Sequence, residues 1–259
     1  MTGLASVTAQ MLREGTKTKS SIQLAEEIDR LGASISASTS FGSSDMVLSA
    51  SGLSDNFDDW MGIAFEVLLQ PNFAADELEK LKQRMRAQLR EQRSNANFLL
   101  SERFNRAVYG EHPAASVSVT AESLDRLSQD ALRQWHRERV VPQNAILGIA
   151  GDVRAKDLIA KLGKRLAGWK PTELKPRLPR DPMAASARKV FLVHRPNSVQ
   201  TTVSLGNIAI DRRSPDYLPM VVMNDVVGGG ASARLFLNLR EEKGYTYGVY
   251  SDFTAVRYP

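Results

Sequence analysis

The chain has no cysteine and only three histidines among its 259 residues. The lack of cysteine excludes disulfides, thiolate nucleophiles and zinc sites built on Cys ligands. His112, His136 and His194 are too far apart in sequence for any two to share a helical turn. A paired helical zinc motif is therefore absent. We interpret the three histidines as a loop hydrogen-bonding residue, a helix-flank residue and a strand-end residue, respectively.

Long hydrophobic runs are missing as well. No stretch approaches the roughly eighteen consecutive apolar residues that a membrane-spanning helix requires, and the first residues lack the basic, apolar and small-residue order of a secretory signal. We therefore expect no membrane span. Because the sequence begins almost directly on a helix, we expect a processed or truncated piece of a longer protein, and the missing signal leaves the compartment open.

Two common kinds of site lack their sequence context. No serine lies in a G-x-S-x-G elbow with a base and an orienting group. The segment VVGGGASARLF, residues 226–236, places glycines before a helix but lacks the Lys and Ser/Thr of a phosphate-binding loop. We interpret it as a flexible glycine hinge or as a backbone surface that lies close to a peptide.

Positive charge is in excess, with a formal net charge of +5. Much of the excess falls on helical sequence between residues 80 and 106, at Lys82, Arg84, Arg86, Arg90, Arg93 and Arg103. One interpretation is a nucleic-acid-binding stripe, and the other is a solvated helix face beside an acidic partner or substrate path. The second is favoured because no aromatic residues are interleaved for base stacking. We expect no nucleic-acid partner.

Apolar periodicity predicts a mixture of helices and strands. Ser20 and Ser21 cap a predicted helix that stops at Gly32, and Ser128 caps a later one. Period-two alternation across residues 33–40 and 45–53 predicts a β-hairpin. Further helices are predicted within 3–16, 55–71, 74–94, 97–110, 120–140, 154–169, 215–230 and 232–244, and further strands within 144–153, 188–196, 200–210 and 245–256.

A proline-rich segment divides the pattern. Residues 170–187 contain four prolines and no apolar periodicity, which is typical of a surface linker. The element order after it repeats the order before it if strands are missing from the start of the chain. We predict an N-terminal repeat over 1–169 that lacks its first strands, a linker over 170–187, and a truncated C-terminal repeat over 188–259.

The opening residues GLASVTAQMLREGTKTKSSIQLAEEIDRLGASISASTS, 3–40, resemble the start of the pitrilysin/insulinase family of zinc peptidases. In that family Gly-Leu-Ala leads into H-x-x-E-H on a helix, followed by a Met-x-x-x-Gly-Thr pattern. The five motif positions fall here on Ser6, Val7, Thr8, Ala9 and Gln10. Ser6 and Gln10 thus replace the two histidine ligands, and Ala9 replaces the general-base Glu.

The third zinc ligand of active family members is a Glu on a later helix. The matching region here is about residues 87–91, and Glu91 alone would not bind zinc tightly. The resemblance therefore implies no metal and no other cofactor in this chain.

A second stretch, GGGASARLFLNLREEKGYTYGVYS over 228–251, resembles the second-half signature of the same family. There an Arg, and a Tyr seven residues later, bind the substrate backbone and steady the oxyanion formed at the zinc. The spacing falls on Arg240 and Tyr247, and the glycine-rich turn that would contact substrate is Gly228, Gly229, Gly230 and Ala231. Guanidinium and phenol groups suit that chemistry. The alternative is a surface salt bridge at Arg240 and a strand aromatic at Tyr247.

The resemblance covers nearly the whole chain and implies an α+β fold of two related α/β-roll repeats, each a mostly antiparallel sheet packed by helices and each incomplete here. Some bacterial members divide the work between a zinc-bearing subunit and one that carries the Arg/Tyr pair. The resemblance implies the second kind: inactive alone, binding extended peptide, with zinc on the partner of a heterodimer.

Alternatives stay open at this point. One is a catalytically inert structural or assembly subunit, like the core subunits of respiratory complexes that share the fold. An autonomous peptidase that uses other residues has the least support. A homodimer is expected as an option for the isolated chain, and the resemblance favours the bacterial periplasm over the cytoplasm.

Overall fold

The computed structural model describes residues 1–43, 45–174, 179–183 and 187–253. Helices dominate these residues, and one antiparallel strand pair accompanies them, which confirms the predicted α+β class. The elements are α1 (Leu4–Met11), α2 (Ser21–Arg30), β1 (Ser34–Ser38), β2 (Val47–Ser51), α3 (Phe57–Leu69), α4 (Ala75–Gln92), α5 (Ala96–Tyr109), α6 (Ala121–Arg126), α7 (Gln129–Arg139), α8 (Ala155–Leu166), α9 (Tyr217–Gly228) and α10 (Arg234–Phe236). Helix α10 continues directly into a π-helical turn, Leu237–Glu242.

Local capping explains where two predicted helices begin. Ser20 Oγ accepts a hydrogen bond from the Gln23 amide at 3.3 Å, and the Gln23 side chain accepts one from the Ser20 amide at 3.0 Å. This capping box satisfies two N–H groups that the first turn of α2 leaves open. Ser128 Oγ likewise accepts from the Ala131 amide at 3.2 Å at the start of α7, as predicted.

The predicted hairpin forms, with Ser34 opposite Ser51 and Ser38 opposite Val47. Small serines and alanines alternate along both strands, so a single large side chain, Ile35, is buried from β1. Helix α1 packs against β1 and helix α3 against β2. The hairpin thus holds one side of the main core.

The main core is built from the first helices and the segment that follows residue 118. Its fully or nearly fully buried members include Val7, Met11, Leu12, Leu24, Ile28, Ile35, Val67, Leu78, Leu81, Leu124, Leu127 and Leu132. Since burying a Leu or Ile side chain contributes about 1.5–3 kcal/mol, this cluster stabilises the packing of the N-terminal helices.

Four predicted strands are not formed in the residues that the structure describes. Residues 144–153, 188–196 and 200–210 and the described part of the fourth, 245–253, pair with no other strand there, and Ile146, Val190 and Leu205 are exposed. The remaining part of the last prediction, 254–256, lies outside the described residues. An apolar pattern alone does not form a strand, because a strand also needs a neighbour to satisfy its backbone N–H and C=O groups.

The chain divides into two compact units. One comprises Met1–Glu102 with Ser116–Leu178, and the other comprises Arg103–Ala115 with Pro179–Pro259. The predicted domain limits at residues 169, 170 and 187 stay predictions, and residues 175–178 and 184–186 of the proline-rich segment lie outside the described residues. In the part of the chain that the structure covers, no helix is both long and apolar enough to cross a membrane.

Candidate functional site

Helix α1 carries the degenerate metal motif and buries its centre. Val7, Thr8 and Ala9 have no solvent exposure. The Thr8 hydroxyl donates to the Leu4 carbonyl at 2.7 Å, so its polar atom is satisfied within the helix. Ala9, at the position of the general base, is a core methyl group.

The two positions that match the histidine ligands lie one helical turn apart. Gln10 Nε2 donates weakly to Ser6 Oγ at 3.4 Å. A hydroxyl and a neutral amide do not replace two imidazoles, and Glu91 lies exposed near the end of α4. Within the described ranges, no three His, Asp or Glu side chains are grouped to hold a metal ion. The residues present do not fit zinc.

A polar network anchors the turn that follows α1 to helix α3. Glu66 Oε1 accepts from the Thr16 hydroxyl at 2.5 Å and also from the Thr18 hydroxyl, and Lys19 Nζ lies 2.8 Å from Glu66 Oε2. Burial opposes ionisation of Glu66, but the hydrogen bonds from Lys19, Thr16 and Thr18 outweigh it and lower the pKa of this carboxyl. The bond to Glu66 raises the pKa of Lys19. The Gly-Thr part of the motif is therefore used for structure.

Arg240 and Tyr247 are brought together in the second unit. Arg240 lies in the π-helical turn, and its Nη1 donates to the Tyr247 carbonyl at 2.7 Å. The Arg240 Cζ atom is 4.6 Å from the centroid of the Tyr247 ring, within cation–π range. The Tyr247 side chain is nevertheless 87% exposed. A guanidinium and an accessible phenol thus share one surface, and their role toward a substrate stays a prediction.

The turn between the two residues is made by glycine. Gly244 has a φ of +63°, a left-handed conformation that other residues adopt with strain. The Gly244 amide donates to the Arg240 carbonyl at 3.0 Å and the Tyr245 amide donates to the Leu239 carbonyl at 2.9 Å. The π-helical turn ends there, and the chain doubles back over Arg240. Such turns are frequent at functional sites.

The glycine-rich segment begins at the end of α9. Gly228 is buried, whereas Gly229 and Ala231 are exposed and Gly230 is half-buried. A Cβ on Gly228 would lie 2.6 Å from the Ser251 amide nitrogen, so only glycine fits this close approach. The contact of these four residues with a peptide stays a prediction.

The structural alternative also finds support in the geometry. Arg240 Nε lies 3.3 Å from Glu241 Oε1 in a half-exposed ion pair. Sequence reasoning missed Phe236, a buried residue whose ring lies 5.0 Å from Arg240 Cζ. The four-residue spacing of Phe236 and Arg240 on one helix was the signal that would have indicated it. Arg240 is therefore flanked by two aromatic rings.

The histidines have structural surroundings. The His136 ring nitrogen Nε2 lies 2.7 Å from the Leu68 carbonyl, the ring packs edge-on against Phe73, and burial lowers the pKa of His136. His112 Nδ1 accepts from the Ala114 amide at 3.1 Å. His194 is exposed on a segment that forms no strand among the described residues.

Four of the six basic side chains singled out around α4 are paired with acids. Arg84 lies 2.5 Å from Glu14, and Arg93 lies 3.0 Å from Glu102. Arg86 and Lys82 pair with Asp125 and Glu79 respectively, and Arg103 stacks over the Phe191 ring at 4.0 Å. These contacts favour the interpretation of a solvated helix face.

Two family models cover almost the whole chain. Residues 1–121 match "Insulinase (Peptidase family M16)", and residues 126–257 match "Peptidase M16 inactive domain". The chain belongs to peptidase family M16. The predicted resemblance to the pitrilysin/insulinase family is confirmed, and the half that carries Arg240 and Tyr247 is the one that matches the inactive domain.

Curated proteins similar to this chain carry contrasting names. The chain is 26% identical over 254 residues to an "uncharacterized zinc protease YmxG" of Bacillus subtilis, covering 96% of this chain and 59% of that protein. It is 27% identical over 258 residues to a "non-peptidase homolog YmxG" of Helicobacter pylori, covering 98% and 59%. The chain thus spans about three fifths of the length of these curated relatives.

Solved structures show the same fold. The peptidase M16 inactive domain of Pseudomonas fluorescens matches with a TM-score of 0.79 and 27% identity, over 98% of this chain and 61% of that one. The periplasmic protease PqqL of Escherichia coli matches with a TM-score of 0.60 at 17% identity, over 70% of this chain and 21% of that one, which shows shared fold alone.

Proposed function

We propose that the chain is the non-zinc subunit of a heterodimeric metallopeptidase. In this role it binds an extended peptide substrate and supplies Arg240 and Tyr247 to a site whose zinc is held by a homologous partner subunit. The observation that carries the proposal is that the Arg240 guanidinium lies against the ring of Tyr247, whose phenol is accessible. Arg240 Nη1 also donates to the Tyr247 backbone carbonyl at 2.7 Å. Membership of a metallopeptidase family supports it.

The chemistry of the pair suits peptide hydrolysis. A phenol O–H that donates to the oxygen of the scissile carbonyl is worth most when negative charge develops on that oxygen in the transition state. Arg240 holds the turn that carries Tyr247 and offers further N–H donors to a peptide backbone. Water activation would come from zinc on the partner, because Ser6, Ala9 and Gln10 provide no metal ligand and no base.

A second candidate is a catalytically inert structural or assembly subunit. The contacts of Arg240 with Glu241 and with the Tyr247 carbonyl lie within the chain and hold the turn without any ligand. The name of the Helicobacter relative, a non-peptidase homologue, favours the same candidate. We extend the proposal to the bacterial periplasm as the compartment, because one structural neighbour is itself named a periplasmic protease.

The proposal is tested by mixing this protein with the zinc-bearing M16 homologue of the same organism. Turnover of a quenched-fluorescent peptide library is measured for each protein alone and for the equimolar mixture. We expect activity only in the mixture, together with a heterodimer peak in size-exclusion chromatography. A heterodimer that hydrolyses none of the peptides would favour the structural candidate, and a homodimer that ignores the homologue would contradict the partnership.

A further inference from the structure

The extended segment that carries Tyr247, residues 245–251, is held at both ends by hydrogen bonds. Its start is fixed by the Tyr245 amide, which donates to the Leu239 carbonyl at 2.9 Å. Its far end is Ser251, whose amide donates to the Gly228 carbonyl at 2.9 Å. Between them the Tyr247 ring is exposed, so packing alone does not hold it. The position of Tyr247 therefore depends on these two anchors and on the bond from Arg240 to the Tyr247 carbonyl.

Asn224 makes the far anchor specific. Its side-chain Nδ2 donates to the Ser251 carbonyl at 3.1 Å, and the Ser251 hydroxyl donates to the Asn224 carbonyl at 3.3 Å. Asn224 is half-buried in a helix whose other residues are largely apolar, including exposed Val222 and Met223. A half-buried amide among such residues is costly unless its hydrogen bonds are made. Here the Asn224 side-chain amide donates to Ser251, at the far end of the segment that carries Tyr247.

We propose that Asn224 is a positioning residue for Tyr247. Asn224, Ser251 and Gly228 form a clamp between the end of α9 and the far end of the segment. This clamp, with the bond from Arg240 to the Tyr247 carbonyl, fixes the backbone that carries the phenol. The inference rests on the proposed function for its consequence in catalysis, but the clamp itself is testable without any activity.

Hydrogen exchange on the isolated protein tests the clamp. Asn224→Asp keeps the shape but places a carboxylate oxygen against the Ser251 carbonyl, so amide exchange in the peptide 245–253 should accelerate about fivefold to tenfold. Ser251→Ala, which removes only the hydroxyl, should have a smaller effect in the same direction. The matched control is Asn207→Asp, because the exposed Asn207 donates its Nδ2 to the carbonyl of its own neighbour, Ile208, at 2.7 Å. Unchanged exchange in both clamp variants would overturn the inference.

A double-mutant cycle in the mixed complex tests positioning. Asn224→Asp should lower kcat about tenfold to hundredfold with a smaller change in KM, since small misplacement of a catalytic group costs rates of this order. Adding Tyr247→Phe should cause no further loss beyond that of Tyr247→Phe alone. If the double variant instead loses activity by the product of the two single losses, Asn224 does not act through Tyr247, and the inference is refuted. A wild-type complex without activity would refute the proposed function, and the exchange measurement would still decide the clamp.

Discussion

Helix α1 and the segment 240–247 match two signature regions of one peptidase family, and they differ in the solvent exposure of their side chains. In α1 the central motif positions Val7, Thr8 and Ala9 are fully buried. In the second region the Tyr247 side chain is 87% exposed beside Arg240. The first region is part of a hydrophobic core, whereas the second exposes polar and aromatic groups to solvent.

The buried residues of α1 contribute to the packing of the fold, whereas the fold does not require the exposed hydroxyl of Tyr247. Replacing a buried core residue changes stability, because the interior is close-packed. An exposed aromatic beside a cation contributes only about 0.5–1 kcal/mol. Stability therefore accounts for the residues of α1 and does not account for the phenol of Tyr247. Substitutions in each region test this contrast: those in helix α1 should change stability, and the loss of the Tyr247 hydroxyl should change activity.

The largest effect on stability is expected where the motif is restored. Ala9→Glu reinstates the carboxylate of the active family members at a position with no exposure. An unpaired buried charge should lower the free energy of unfolding by about 3 kcal/mol or more in urea denaturation. The control Gln10→Glu, at the exposed neighbouring position, should change it by less than about 0.5 kcal/mol. Equal stability of the two variants would show that α1 still faces an open site.

A smaller, pH-dependent effect is expected at Glu66. Its pKa is lowered in the folded protein, so its contribution is present above the unfolded pKa near 4.5 and is lost as pH falls through the folded pKa. Glu66→Gln should destabilise the protein by about 1–2 kcal/mol at pH 7, and the difference from wild type should vanish in acid. Glu26→Gln, on an exposed face of α2, is the control. A pH-independent difference would contradict the ionised network.

The smallest effect is expected from zinc itself. Addition of one equivalent of zinc, or of a chelator, should shift the midpoint of thermal unfolding by less than about 1 °C. A ligand raises this midpoint only if it binds the folded state, and the degenerate motif offers zinc no site there. Metal analysis of the purified chain should find far less than one zinc per chain. One tightly held zinc would contradict the assignment of Ser6, Ala9 and Gln10 as a degenerate motif.

The sequence predicted local structure well wherever the signal was local. The helix cap at Ser20, the cap at Ser128 and the hairpin follow from short-range patterns. Arg240 and Tyr247 were indicated by the family resemblance instead; the structure brings them into contact, and their role at a substrate stays a prediction. The strands predicted within 144–153, 188–196 and 200–210 failed because pairing partners are not encoded in the run of residues that forms a strand. Asn224 was missed because its hydrogen bond to the Ser251 carbonyl joins residues far apart in sequence. Phe236 was missed although its four-residue spacing from Arg240 indicates the contact.

The central claim is that Tyr247 works in a site that this chain completes for a partner. The most direct test compares kcat of the zinc-reconstituted mixture containing wild type, Tyr247→Phe or Tyr245→Phe. Tyr245 is a matched control because it is also a largely exposed tyrosine, two residues away. The account predicts that Tyr247→Phe lowers kcat about 10²–10³-fold with assembly unchanged, while Tyr245→Phe stays within about twofold of wild type. Wild-type kcat for Tyr247→Phe would contradict it.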